Sequence, residues 1–458
     1  MNDYKLTFKL KQHTPLIHFQ HDQHGATLRA SELKPKLDKF ILMKLGKEAD
    51  KSLTENEAIY KKGLEEAKAK KWLVGKGEHP ALEYKVRIEE SNEVEYYLPL
   101  PLKVKENRSE KLVGFIKGQM NLDISILAPT PFFANADKIK FLRGKDELDE
   151  EMTKTEDLRF AFYANNEIEI SIKTFKDGLK EKLEELIIPY FLMNNFGTRQ
   201  NKGFGSFTVV EIESKAIKSD NKLLQSIFAY NSKNSYSDLN KLFQFIGDEY
   251  QLLKSGKNYP NYEKSELFKY FVDKNIRWEK RYIKQKINAN RILNKELYWK
   301  NKSAPIDIED KTKNEYNDWN DKQNNSYQYI RVLLGLAEQF EYTVFAEKKD
   351  NNGVWIKLTL PDSNKKYIVS LEHKPKPNED KIERFQSPIF LKVIDGIVYL
   401  GIDDSYENIL GEKFEFKLKF KGDNKGIIKS LGTLNVPNKF ILSDFIQKHL
   451  SSNWKKIQ

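Results

Sequence analysis

No cysteine occurs in the sequence, which excludes disulfides, thiolate metal centres and a cysteine nucleophile, and fits a reducing compartment. No window approaches the roughly eighteen apolar residues of a membrane span, and the opening M-N-D-Y-K-L-T-F-K-L lacks an apolar core of signal-peptide length. The expectation is a soluble cytoplasmic protein with no membrane partner. Also missing are a Walker sequence, H-E-x-x-H, a paired-carboxylate motif and a Ser/His/Asp order. Catalysis therefore has little support from motifs, and no cofactor is expected.

What is present is positive charge. The 458 residues carry 78 Lys plus Arg against 67 Asp plus Glu, a formal balance of +11. That balance favours an anionic partner, although a solvated lysine-rich surface has the same composition. The length allows two or three domains with sizeable cores.

The hydrophobic pattern predicts an α+β fold. Residues 4–10 alternate Tyr4, Leu6, Phe8 and Leu10 with polar neighbours, the period of a half-buried strand. Residues 31–45 carry apolar side chains at helical spacing, with Ser31 as the expected N-cap and Pro35 near the first turn. Residues 82–88, 94–100 and 122–127 read as strands. A strictly alternating strand at 168–175 and an amphipathic helix at 179–192 lead into a glycine-rich loop and a further strand at 206–212. Strand, helix, loop and strand in this order predict a ferredoxin-like (RRM-like) domain over 1–215. Residues 216–328 read as aromatic- and lysine-rich helices, and 329–458 return to strands with a terminal helix near 441–450.

The loop is the most informative stretch. Residues 195–207 read N-F-G-T-R-Q-N-K-G-F-G-S-F. Gly197, Gly203 and Gly205 lack a Cβ and so take positive φ readily, letting other backbone approach. Such a loop is expected to expose amide groups, with Arg199 and Lys202 supplying charge to phosphate oxygens. Its spacing differs from a P-loop or dinucleotide fingerprint, because it follows a helix and opens a strand. A plain glycine-rich turn with solvated cations is the alternative.

Other clusters are weaker. Four of seven histidines fall within 13–24, at His13, His18, His21 and His24, but in an irregular stretch with only Asp22 as a nearby carboxylate, so no metal site is expected. The basic run 277–291, R-W-E-K-R-Y-I-K-Q-K-I-N-A-N-R, has interleaved aromatics but reads first as a solvated helix face with Trp278 and Tyr282 packed inward. Arg29, Lys34 and Lys36 stand at a helix start, where free amides and the dipole favour an anion.

Four strings, T-P-L-I-H-F with L-R-A-S-E-L-K-P-K-L-D, G-T-R-Q-N-K-G-F-G-S-F, R-V-L-L-G-L at 331–336, and R-F-Q-S-P-I-F-L-K-V at 384–393, together resemble the RAMP superfamily of CRISPR effector proteins. The loop is most similar to that of the first subunit of the Cmr (type III-B) complex. The sequence departs from that pattern at Lys34-Pro35, where Lys-Gly is usual. The resemblance implies two ferredoxin-like domains in tandem with a helical insertion, and no catalytic centre. It implies a place near the 3′ end of the guide RNA beside other Cmr subunits, and possible contact with target RNA. It assigns RNA contact to Gly197, Arg199, Gln200, Asn201, Lys202, Gly203, Phe204 and Gly205. Arg29, Lys34 and Lys36 would line the same face, with Arg331, Arg384 and Ser387 in the equivalent part of the second domain. Two alternatives are a guide-processing endoribonuclease, with His18, His21 or His24 as general acid or base, and an adaptor touching only protein.

Overall fold

The computed structural model describes residues 4–18, 28–75, 80–89, 93–101, 112–116, 119–130, 160–217, 221–257, 263–289, 326–337, 339–343, 346–349, 355–358, 366–377, 379–420 and 429–457. They form two compact units that interleave along the chain. The first holds 1–250, the hairpin region Ile389–Ile402 and the terminal Ser451–Gln458; the second holds Gln251–Pro388 and Asp403–Leu450. The expected divisions lie at 215 and 328; the first unit's main stretch runs on to 250, and the hairpin at 389–402 is built into that unit.

In the first unit a five-stranded antiparallel sheet runs in the order Lys215–Ala216, Phe207–Ile212, Lys5–Gln12, Ile168–Lys173, Lys85–Ile88. Alternation decides its two faces. Leu6, Phe8, Leu10, Ile168, Ile170 and Ile172 are buried against the helices Ala30–Ala49 and Leu179–Met193, while the odd-numbered polar residues between them face away from that core. The N-cap of the first helix lies two residues earlier than expected, at Arg29 rather than Ser31. Arg29, in extended conformation, holds the N-cap position without a side-chain cap bond, and its carbonyl accepts from the Glu32 and Leu33 amides. Ser31 therefore lies inside the first turn and caps nothing.

The helix Ala30–Ala49 crosses Asn56–Ala69 at two glycines. A Cβ on Gly46 would come inside 3.0 Å of the Ile59 carbonyl, and one on Gly63 would do the same to the Leu42 carbonyl. A second sheet orders Leu16–Ile17, Ala161–Ala164, Val94–Pro101, Gln119–Thr130 and Leu112–Ile116, with one parallel pair between Val94–Pro101 and Gln119–Thr130. A third joins Ile389–Ile394, Ile397–Ile402, Tyr230–Ser232 and Trp454–Lys456.

The second unit carries an antiparallel meander of Gln339–Thr343, Lys366–His373, Lys413–Phe420 and Lys429–Asn435 in sequence order. Fully buried Tyr329 packs edge-on against Phe414 and Phe416 beneath it. Of the strands expected after 329, one read at 343–345 has Thr343 within the strand Gln339–Thr343 and its other two residues outside the described ones; the basic run expected as helix opens with the strand Ile276–Trp278 before the helix Glu279–Ala289. Trp278 is buried and the Tyr282 hydroxyl donates to the Leu431 carbonyl at 2.7 Å, so both aromatics are packing residues. Among the described residues no helix is long and apolar enough to cross a membrane.

Candidate nucleic-acid interface

The glycine-rich loop lies in the first unit between the helix Leu179–Met193 and the strand Phe207–Ile212. Its three glycines take φ of 75°, 80° and 63° at Gly197, Gly203 and Gly205, as the residue type predicts. Each also meets a close neighbour. A Cβ on Gly197 would strike the Ile17 carbonyl, one on Gly205 the Phe196 carbonyl, and one on Gly203 would press on Ile246 and Val393.

Most of the loop's amides point into the protein, contrary to the expectation that they would be exposed. The Gly197 N–H donates to Glu32 Oε1 at 2.6 Å, Thr198 to the Ile17 carbonyl, Gly205 to the Pro15 carbonyl and Phe196 to the Gly205 carbonyl. Lys202 and Gly203 donate within the loop to Arg199 and Gln200. Where an oxyanion could have met the Gly197 amide, the loop holds the carboxylate of Glu32. Phe204 is likewise inward: it is fully buried and stacks on Phe243 with centroids 4.2 Å apart.

What remains at the rim is the half-buried run Thr198, Arg199, Gln200, Asn201 and Lys202. Arg199 sits at φ 61°, a left-handed conformation that costs a non-glycine residue about 1–2 kcal/mol. Lys36 reaches this rim from the neighbouring helix, donating to Gln200 Oε1 at 3.1 Å and to Glu32 Oε1 at 3.0 Å. Lys202 Nζ stands 5.4 Å from the Tyr250 ring centre. Lys34 points elsewhere: it bonds Asp38 and the Leu82 carbonyl and lies 3.9 Å over the Tyr84 ring. Arg29 is half-buried beside the same helix start, and burial lowers its pKa.

The residue that holds the loop in shape is Lys392, which sequence reasoning passed over as one cation in an apolar strand. It is fully buried in Ile389–Ile394, and its Nζ donates to four oxygens: the carbonyls of Phe191 (2.6 Å), Asn194 (2.9 Å) and Phe207 (2.9 Å), and Asn195 Oδ1 (3.1 Å). These oxygens belong to the helix end before the loop and the strand start after it, so one ammonium ties the two ends together. Burial pushes its pKa well down, while the helix C-terminus favours positive charge there. Asn195 adds bonds to the Gln200 and Leu391 carbonyls, Leu391 N–H donates to Asn201, and Ser206 donates to Val393.

His13 closes the same assembly. The Asp395 amide donates to Nδ1 at 3.1 Å, leaving Nε2 to donate to Thr208 Oγ1 at 2.7 Å, the pattern of a neutral ring. Burial pulls its pKa down to about 3, against the attraction of Asp395. His18 is buried against Phe162, and His21 and His24 lie outside the described residues. No group of side chains able to hold a metal occurs among the described residues.

In the second unit the strings 331–336 and 384–388 meet. The Leu336 amide donates to the Phe385 carbonyl, and Gly335, at φ 103°, packs against Ser387. Arg331 is engaged inside: it pairs with fully buried Glu279 and stacks 3.9 Å over Phe340. Arg384 is exposed and Ser387 half-buried. Lys254 donates to the carbonyls of Leu334 and Gly335, and burial, with Arg331 nearby, lowers its pKa to about 7.

No curated protein matches this chain. Among solved structures, a chain of a type III-B Cmr-beta complex bound to cognate target RNA is similar at 13% identity and a TM-score of 0.31, covering 56% of this chain and 76% of that one. The apo crystal structure of Cmr1 from Pyrococcus furiosus is similar at 8% identity and a TM-score of 0.29, covering 68% and 81%. Scores of this size establish no common fold. Family models are more telling: the Cmr1 N-terminal domain matches residues 3–257 and the Cmr1 C-terminal domain matches 262–458. The two matches follow one another through nearly the whole sequence, and the chain belongs to the Cmr1 family, as its four RAMP-like strings lead one to expect.

Proposed function

We propose that this chain is a non-catalytic, guide-RNA-binding subunit of a cytoplasmic type III-B CRISPR effector complex, positioned near the 3′ part of the guide among other Cmr subunits. Family membership supports the coarser part of this reading, a Cmr subunit. The guide contact rests on one observation above others. A loop pinned by Lys392 and Asn195 holds Arg199 in a strained left-handed conformation at its rim, beside Lys202 and Lys36. Strain of this kind persists only where the surroundings over-determine it, and it is concentrated at binding sites.

With most loop amides turned inward, side chains carry the contact, through phosphate charge and shape. The first unit also supports a ferredoxin-like reading. Four strands of its main sheet (Lys5–Gln12, Lys85–Ile88, Ile168–Lys173 and Phe207–Ile212) and the two helices packed on it (Ala30–Ala49 and Leu179–Met193) follow β-α-β-β-α-β in chain order, with the last strand beside the first and the third between the first and the second.

The test is RNA retention by the assembled complex. Arg199→Ala with Lys202→Ala is expected to release guide RNA at moderate salt and to flatten the salt dependence by about 0.7 in slope per lost phosphate contact. Retention equal to wild type across the salt series overturns the reading.

A further inference from the structure

The five-stranded sheet of the first unit has a face that no helix covers among the described residues, and its charge is unevenly placed. Strand register sets Lys85 opposite Lys173 and Lys173 opposite Lys5, a row of three lysines across three adjacent strands. With strands about 4.8 Å apart, the row spans roughly 10 Å. Lys85 and Lys173 are exposed and Lys5 is half-buried, and none of their side chains makes an ion pair or hydrogen bond among the described residues. The next row is Arg87, Ser171 and Thr7, with Arg87 paired to Glu89 at 3.0 Å. Carboxylates lie close to the row without pairing to it: Glu89 holds Arg87, Glu213 Oε1 accepts from the Thr7 amide, Glu83 pairs with Lys176, and further along Lys9 meets Glu169 and Glu211.

Like charges directly opposite one another destabilise a sheet, so the row needs a reason. Guarding an open edge against strand pairing accounts for Lys85, which lies on the edge strand. It does not account for Lys173, which is paired on both sides, to Lys5 and to Lys85; Lys5 lies before its strand's pairing with Phe207–Ile212 begins at Phe8. Immediately beyond the row stands an exposed aromatic pair. Tyr4 and Phe175 are 55% and 78% exposed, their ring centroids are 5.1 Å apart, and the Thr174 amide donates to the Tyr4 carbonyl beneath them.

From this juxtaposition we infer that the open face at Lys5, Lys85 and Lys173, with Tyr4 and Phe175 at its end, is a second nucleic-acid site that takes a single strand. The lysines receive consecutive phosphates and the aromatic pair stacks on an unpaired base, the combination that single-strand binding requires. A duplex would offer phosphates but no free base to the rings. The site is separate from the glycine-loop rim and shares none of its residues.

Fluorescence anisotropy of the full chain with a fluorescein-labelled oligouridylate, over a salt series, tests it. Lys5→Gln with Lys85→Gln and Lys173→Gln is expected to weaken binding at least tenfold and flatten the salt slope by about 2, from about 0.7 per contact. Lys39→Gln with Lys51→Gln and Lys68→Gln removes equal charge from exposed positions elsewhere and should change little. Phe175→Ala, at an exposed position where folding is not at stake, should weaken binding roughly tenfold with the slope unchanged. Wild-type affinity in the lysine variant, or equal loss in the control, overturns the site; so does wild-type affinity in Phe175→Ala.

A second arm, which rests on the proposed function, distinguishes the strand's source by ultraviolet crosslinking in the assembled complex. A label on the guide or on an added complementary strand, transferred to the peptide bearing Phe175, supports the site and names its occupant. Transfer from neither overturns it. Because the loop variant is read by guide retention and the lysine row by added strand, either can fail alone.

Discussion

Lys392 shows how much one side chain can organise. Replacing it with methionine keeps the apolar stem but withdraws the donor from four oxygens, and buried acceptors left unsatisfied cost about 1–3 kcal/mol each. Lys392→Met should lower stability by about 4 kcal/mol or more in chemical denaturation; an unchanged midpoint would show that the loop is held by other means. His13 makes a pH prediction. Its pKa is about 3 in the folded chain and near 6.5 when unfolded, so the unfolded chain binds the proton first as pH falls. The stability from a neutral His13 is complete above about pH 6.5 and declines below it, by at most about 1.4 kcal/mol per pH unit. Asp395, whose pKa is lowered chiefly by its bond from Lys11 despite burial, adds loss in the same direction at lower pH. His13→Gln should flatten the decline between about pH 6.5 and 5; an identical pH profile would remove the histidine from the account. The positive φ of Gly197, Gly203 and Gly205 was legible from residue type, because only glycine enters that region without strain. Lys392 was not, since its partners lie 185–201 residues away.

Among the elements, period-2 alternation located Lys5–Gln12 and Ile168–Lys173, and helical spacing located Leu179–Met193, because burial on one face imposes the pattern directly. Helix packing was hidden. Gly46 and Gly63 are unremarkable in a lysine-rich helical stretch, yet each lies where another helix's carbonyl occupies the Cβ position. The usual expectation for a glycine inside a helix is that alanine stabilises by about 1 kcal/mol. Here the clash reverses the sign: Gly63→Ala should destabilise by about 1–3 kcal/mol through forced separation of the two helices. A raised melting temperature would contradict that geometry. The glycine loop was read correctly as a turn of special backbone, but its amides proved to serve the fold. Local sequence states which backbone can bend sharply, and the surrounding chain decides which way its donors face.

For the whole molecule, the consequential fact is that sequence order and spatial units diverge. The family models divide the chain between 257 and 262, whereas the first compact unit takes Ile389–Ile402 and Ser451–Gln458 from the second half. A fragment of residues 1–257 would keep Tyr230–Ser232 but lose the three strands that share its sheet. It would also lose Lys392 beneath the loop. Such a fragment should melt without a sharp cooperative transition and bind a hydrophobic dye, and supplying residues 258–458 in trans should restore cooperativity. A stable, cooperative fragment would show that the hairpin is dispensable. By itself the sequence determined the alternation of strands and helices, the left-handed glycines, the basic balance and the family strings, all of which are local or additive properties of the chain. Tertiary structure alone decided that Lys34 and Arg331 are tied into the protein, that Lys392 binds both ends of the loop, and that three lysines line up on one sheet face. Each of those depends on strand register and burial between segments far apart in sequence, which no local pattern encodes.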